Sequence, residues 1–134
     1  MHLLLDTHIL IWAITGDDKL PPEALHLLQD AKNEIFYSTA SIWEITIKHA
    51  IRPDDMPISG SELSKYAREA GFHSLPIMDD HAKTLETLHR DTNAPKHKDP
   101  FDRMLIAQAK SETMTFVTHD SLLKDYHEAC VLNV

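Results

Sequence analysis

The ten residues from Leu3 to Trp12, LLLDTHILIW, decide the fold class. Leu3, Leu4 and Leu5 are apolar at every position, the pattern of a strand covered on both faces, and Asp6 with Thr7 ends the run at a polar turn. From His8 to Ile14 the chain continues as a helix rich in Ile, Leu and Trp12, closed by Gly16, Asp17 and Asp18. A buried strand, a carboxylate and a helix in direct succession make the first unit of an alternating α/β chain.

The alternation continues outward from there. Pro21 and Pro22 open a second helix, with Leu25, Leu28 and Ala31 at helical spacing, running to about Asn33. Ile35, Phe36 and Tyr37 read as the second strand; Ser38 and Thr39 are the turn and cap residues of a helix from about Ala40 to Ile51. On a helical wheel Trp43, Ile47, Ala50 and Ile51 form one apolar arc, with Glu44 on its edge looking toward the protein body. Arg52 to Gly60 is the most loop-like stretch, Ser61 caps a helix to Ala70, and Phe72 to Leu75 form a short strand. Asp79 or Asp80 starts a helix through Leu85 and Leu88. A polar segment from His89 to Lys98 holds Arg90, Lys96, His97 and Lys98, a locally basic patch. It leads into DPFDRMLIAQA, Asp99 to Ala109, a well-formed helix start in which Asp99 suits the N-cap and Pro100 the first helical position. Met114 to Val117 form a strand ended by Thr118, His119 and Asp120; Ser121 to Tyr126 give a short helix and Val131 to Val134 a terminal strand. Strands alternating with helices imply an α/β sandwich on a parallel sheet, with the strand C-termini along one edge. Ligands bind at that edge, where the strand order reverses.

Composition narrows the possibilities. The 134 residues fit one domain, 1–134, with 43% hydrophobic and 25% charged residues. The single Cys130 excludes an intrachain disulfide, and a reducing cytoplasm is the simplest setting. No apolar run approaches the roughly 20 residues of a membrane span, and the N-terminus lacks the pattern of a cleavable export signal. A net charge of −8 is the wrong sign for a broad basic nucleic-acid surface. It is compatible with such a substrate if several acids converge on a site for divalent cations. The ten histidines are scattered, without zinc-motif spacing, and most read as surface residues.

Four acids are expected at the one rim. Asp6 and Asp120 directly follow strands, Asp102 opens a helix after a crossover, and Glu44 lies early in the helix after the second strand. Each has a plain structural reading: Asp6, Asp99 and Asp120 as helix caps, Ser41 with Glu44 as a capping box, Glu44 with Lys48 as an i, i+4 pair. Taken together those readings are insufficient, because like charges 4 Å apart repel by about 4 kcal/mol at an effective dielectric near 20. Hard divalent cations, Mg²⁺ or Mn²⁺, one ion or two, offset such repulsion through carboxylate oxygens, and no Cys or His cluster competes for a softer metal. A site of that kind activates water against a phosphodiester. Thr7 and Thr118 suit a water or phosphate oxygen, or equally a turn hydroxyl; Lys48 and Arg103 suit substrate phosphates, or ordinary salt bridges; His97 suits a proton-tuning role or solvent.

At this point the chain resembles the PIN-domain ribonucleases, and among them the VapC-type toxins of toxin–antitoxin pairs. The resemblance is carried by LLLDTHILIW (Leu3 to Trp12), STASIWEITIK (Ser38 to Lys48), HKDPFDRMLIAQA (His97 to Ala109) and TFVTHD (Thr115 to Asp120), in that order over almost the whole chain. It implies a PIN-like three-layer sandwich with a central parallel five-stranded sheet, and an acidic pocket binding Mg²⁺ or Mn²⁺. Asp6, Glu44, Asp102 and Asp120 match its acids; Asp99 matches less securely, as an outer acid or only the cap. A Ser is common in the family where His8 stands, which leaves the polar role after Asp6 to Thr7. The resemblance further implies an endoribonuclease with an RNA substrate, a homodimer, and a small antitoxin that blocks the pocket. The alternatives from other classes are a non-catalytic RNA- or protein-binding module on the same fold, and a phosphatase-type hydrolase with Asp6 as nucleophile. The latter usually needs a second acid two residues on, where His8 stands.

Overall fold

A computed structural model describes residues 1–95 and 99–134. Strand β1 (His2–Leu5) leads through Asp6 into helix α1 (Thr7–Thr15), followed by α2 (Pro22–Gln29), β2 (Glu34–Ser38), α3 (Thr39–Ile51), α4 (Gly60–Glu69), β3 (His73–Leu75) and α5 (Asp79–Thr84). After a 3-10 turn at Leu85–Thr87 come α6 (Pro100–Glu112), β4 (Thr115–Thr118), a 3-10 helix at Ser121–Tyr126 and β5 (Val131–Asn133). The five strands form one sheet in the order β3-β2-β1-β4-β5, every neighbouring pair parallel.

The expected α/β sandwich on a parallel five-stranded sheet is therefore the observed architecture. Strand alternation builds its two cores. Leu4, Phe36 and Phe116 point to one face, under Leu105, Ile106 and Ala109 of α6. Leu3, Leu5, Ile35, Tyr37 and Val117 point to the other, under Ile9 and Leu10 of α1, Ala24 of α2, Ile45 of α3 and Leu63 and Ala67 of α4. β1 lies at the centre with Leu3, Leu4 and Leu5 all buried, as its unbroken apolar run requires. The chain proceeds from β1 outward to β2 and β3, then returns to β1's other side for β4 and β5. The order reverses between β1 and β4, so the ends of these two strands flank the crevice where such sheets place ligands.

Three local readings change. The second helix ends at Gln29, short of Asn33; Asp30 stands as its C-cap and Leu25 is exposed while Ala24 is buried. The fourth begins at Gly60, capped by Ser59 in a reciprocal box with Glu62, in place of Ser61. Gly60 is needed there, because a Cβ would stand 1.9 Å from Thr46 Oγ1 where α4 meets α3. The largest change concerns α3. Its buried residues are Ala40, Ser41, Glu44 and Ile45, whereas Trp43 is 60% and Ile51 70% exposed, with Ile47 and Ala50 also at the surface. The helix packs chiefly against α4 and α6, and the apolar arc is left outward.

His81 departs from the surface reading of most histidines: it is fully buried. Its Nδ1 accepts from the Met78 amide at 3.0 Å and its Nε2 lies 2.7 Å from Glu112 Oε1, tying α5 to α6. Replacing His81 with Ala removes both bonds and leaves a void, so urea unfolding of that variant should show a loss of about 2–3 kcal/mol. An unchanged midpoint would contradict this role.

Candidate functional site

Each acid reaches the sheet edge by its local chemistry. Asp6 caps α1: its Oδ1 accepts the His8 amide at 2.8 Å, and Oδ2 accepts the Thr118 hydroxyl at 2.6 Å across the β1/β4 crevice. The Asp6 amide donates to Val117 at 2.9 Å, which extends the β1–β4 pairing to the carboxylate itself. Thr118 in turn accepts the Asp120 amide at 3.1 Å, and Asp120 Oδ1 caps the following 3-10 helix through Leu122 at 2.9 Å. Asp99 is the N-cap of α6, accepting the amides of Phe101 at 2.9 Å and Asp102 at 3.2 Å, with Pro100 in the first turn. Asp102 follows one residue after Phe101, in that same first turn.

Glu44 is not in a capping box with Ser41, since Ser38 caps α3 through the Ala40 amide. It is 3% exposed, its Oε2 takes Lys48 Nζ at 2.5 Å, and its Oε1 is buried without a hydrogen-bond partner among the described residues. A buried carboxylate oxygen left bare is costly, and it is the kind of vacancy in a bonding pattern that a cation satisfies. The Thr7 hydroxyl is 2.8 Å from that of Ser41, joining α1 to α3 beneath the pocket.

Asp6, Glu44, Asp99, Asp102 and Asp120 thus line one cavity, with Thr7, His8, Trp12 and His119. The charge that converges there is visible in the titration of its members. Burial, then the charges of Asp6, Asp99, Glu44 and Asp120, pushes the Asp102 carboxyl up to about 8. Burial raises Asp6 as well, against the lowering effect of its bonds to Thr118 and His8. Lys48 is raised as well, for the opposite reason: burial would lower it, but the hydrogen bond and charge of Glu44, with Asp99 and Asp102 behind, hold it above the ordinary lysine value.

These donors are the hard oxygens that Mg²⁺ and Mn²⁺ take, and the excess negative charge suits a divalent ion. Among the described residues no three Asp, Glu, His or Cys side chains close on a common point. The set therefore fits an ion held by one or two carboxylates and water, the usual manner of Mg²⁺, and not a finished protein cage.

Of the residues singled out beforehand, Asp6, Glu44, Asp99, Asp102, Asp120 and Thr7 line the cavity; Thr118 acts on it through Asp6 and Lys48 through Glu44. Arg103 does not line it. Its charge acts on Tyr126, at the end of the 3-10 helix, and its Nε is buried without a partner among the described residues. Lys96, His97 and Lys98 lie outside the described residues. Ser41, Trp12 and His119, which the sequence places only as cap, helix and turn residues, also stand at the site. The Trp12 ring stands between those of His8 and His119, with centroids at 5.8 and 6.1 Å. Only the i, i+4 spacing of Trp12 from His8 could have pointed to that wall.

Comparison with known proteins gives a consistent frame. The profile of the PIN domain matches residues 3–129. No curated protein sequence matches. Among solved structures, VapBC2 from Rickettsia felis, bound to a DNA fragment from its promoter, is similar at 18% identity and a TM-score of 0.69, covering 99% of this chain and 98% of the other. A toxin–antitoxin complex from Klebsiella pneumoniae is similar at 19% identity and a TM-score of 0.58, covering 98% and 96%. FitAcB from Neisseria gonorrhoeae is similar at 18% identity and a TM-score of 0.61, also covering 98% and 96%. At these identities the likeness is one of fold.

Proposed function

This chain belongs to the PIN-domain family, and from that premise we propose that it is a divalent-cation-dependent endoribonuclease, the toxin of a toxin–antitoxin pair. The observation that carries the reading is the convergence of five carboxylates at the β1/β4 switch point, with the Asp102 carboxyl pushed up to about 8 by burial and by its neighbours. A purely structural set of caps has no reason to concentrate charge in this way.

Asp6, Glu44, Asp102 and Asp120, one or two at a time and together with water, would hold Mg²⁺ or Mn²⁺, one ion or two, with Asp99 at the margin. When bound, the ion neutralises the carboxylates, lowers the pKa of water and stabilises charge on a phosphodiester displaced in line. The protein's own residues orient the site. Thr118 and the His8 amide fix both oxygens of Asp6, which sets its carboxylate against β4. Lys48 fixes Glu44 and leaves one carboxylate oxygen bare. The Asp99 cap and Pro100 start α6 so that Asp102 falls on its first turn. Thr7 and Thr118 act as hydroxyls that brace this frame, while Lys48, beside the acids and partly exposed, is the nearer candidate for substrate phosphate than Arg103.

The fold likeness to toxin–antitoxin complexes supports a cognate small antitoxin as partner. A homodimer is part of the same reading. A single domain over 1–134 and a cytoplasmic location complete the reading; no helix among the described residues is long and apolar enough to cross a membrane. The second reading, a non-catalytic binding module, has against it the full set of acids.

Purified protein incubated with a pool of structured RNAs and Mg²⁺ should cut internal phosphodiester bonds, and excess EDTA should abolish the cutting. Undiminished cleavage in EDTA overturns the cation requirement. RNA binding with no cleavage in either Mg²⁺ or Mn²⁺ favours the non-catalytic module.

A further inference from the structure

A polyanionic substrate meets repulsion at a pocket of five carboxylates on a chain of net charge −8, so its affinity must come from elsewhere. A trough between α3 and α4 has the required chemistry. Two adjoining cavities of about 600 and 390 Å³ share Ile42, Thr46, Ser64 and Arg68. The outer adds Lys65 and Ser61, with Glu69 as its one acid; the inner adds Tyr37, Thr39 and Ser74. Lys65 and Arg68 facing one groove with a single acid make a phosphate-compatible lining, although the Thr46 hydroxyl is spent on the Ile42 carbonyl at 2.7 Å.

The Arg68 guanidinium is held in place. Its Nε donates to the hydroxyl of Tyr37 at 3.3 Å, and Tyr37 is almost wholly buried in β2. The Tyr37 hydroxyl records the local field: burial would raise its pKa, but hydrogen bonds from Arg68, Ser64 and Ser74 and the Arg68 charge bring it below the ordinary tyrosine value. The groove therefore favours negative charge, the opposite of the acidic pocket.

Trp43 stands where the trough meets the start of α6. It is 60% exposed, lines the inner cavity, and meets Phe101 edge to face with centroids 5.1 Å apart at 79°. Phe101 directly precedes Asp102 in the chain. An exposed indole beside a cationic groove is the arrangement by which proteins stack one base while holding the adjoining backbone.

We propose that the α3/α4 trough binds the phosphates of a single-stranded RNA segment flanking the bond at the acidic pocket, with Lys65 and Arg68 as phosphate contacts and Trp43 as the base-stacking platform. The inference rests on the ribonuclease reading and adds to it a preference for single strands on one side of the cut.

The test uses a labelled single-stranded 12-mer RNA bound to the full chain carrying Asp102→Asn in Mg²⁺, which separates binding from cleavage. The Lys65→Gln/Arg68→Gln pair should weaken binding at least 10-fold at 150 mM salt and reduce the slope of log affinity against log salt by about 1.4, two contacts at ~0.7 each. Trp43→Leu should weaken binding about 5- to 20-fold with the salt slope unchanged. Lys65→Gln alone, at an exposed position, keeps the test valid if the Arg68 change disturbs folding, and should lower the slope by about 0.7. In chains with Asp102 intact, the double variant should raise KM for RNA more than it lowers kcat. Affinity and salt slope equal to the parent, with RNA still cleaved, overturn the trough and leave the ribonuclease standing. Absence of both binding and cleavage by the unsubstituted chain overturns the ribonuclease reading and the trough with it.

Discussion

Asp102→Asn is expected to stabilise the cation-free protein while removing its activity. The carboxyl sits where burial and four other carboxylates oppose its charge, so an amide of the same shape relieves repulsion at no cost in packing. At pH 8 the variant should melt roughly 4–8 °C above the parent, on the scale of about 4 °C per kcal/mol for a chain of this size. RNA cleavage should fall at least about 10²- to 10³-fold, the usual cost of removing a group that positions charge at a reacting centre. A residue that only supported the helix start would behave otherwise: its replacement would lower both stability and activity. Asp99→Ala provides that contrast. Loss of its two amide bonds should destabilise by about 1 kcal/mol at pH 5, where Asp102 keeps its proton and no repulsion is relieved.

The second large effect is the pH dependence of stability without cations. A carboxyl raised in the fold from 3.8 to about 8 keeps its proton across that interval while the unfolded chain has lost it. The folded state then binds more protons, so its stability is fully present below about pH 4 and declines as pH rises to about 8. Burial shifts Asp6 upward too, which acts in the same sense. In EDTA the melting temperature should therefore fall by roughly 5 °C or more between pH 5 and pH 8.5, and the slope should flatten in Asp102→Asn. Mn²⁺ should reverse the fall, since ligation needs ionised carboxylates and strengthens as they lose protons. At a 100-fold excess over its Kd the ion would contribute about 2.7 kcal/mol. A flat profile in EDTA would mean that the acids do not repel one another as their placement implies.

Much of this arrangement was legible in the residues, for a physical reason. β1 had to be central because Leu3, Leu4 and Leu5 leave no face for solvent, and a parallel sheet then brings the end of β1 beside the end of β4. Asp6, Thr118 and Asp120 follow from strand ends alone. Asp99 and Asp102 follow from the capping chemistry of α6, in which Asp99 accepts backbone amides and Asp102 falls on the first turn, both lining the pocket.

The misreadings cluster on α3. Its apolar arc of Trp43, Ile47, Ala50 and Ile51 had the periodicity of a core face, yet the side that packs carries Ala40, Ser41, Glu44 and Ile45. Periodicity reports where apolar residues gather, and a helix packed chiefly against α4 and α6 buries the small and polar residues on its inner side instead. Glu44 faces inward as expected, but not beside a buried Trp43. Arg103 likewise follows Asp102 immediately, and a helix turns successive residues about 100° apart, so one faces the pocket while the other acts on Tyr126. Neither the trough nor the burial of His81 had a signal in the spacing, because each is made by side chains distant in sequence.

The central claim, that the carboxylates at the β1/β4 edge form a divalent-cation site, is most directly tested by calorimetric titration of Mn²⁺ into the metal-free protein at pH 7, in buffers of different ionisation enthalpy. The account predicts saturable uptake with net release of protons, as Asp102 gives up the proton that burial and its neighbours retain, and loss of both signals in Asp102→Asn. No uptake at millimolar Mn²⁺, or identical uptake by the two proteins, would contradict it.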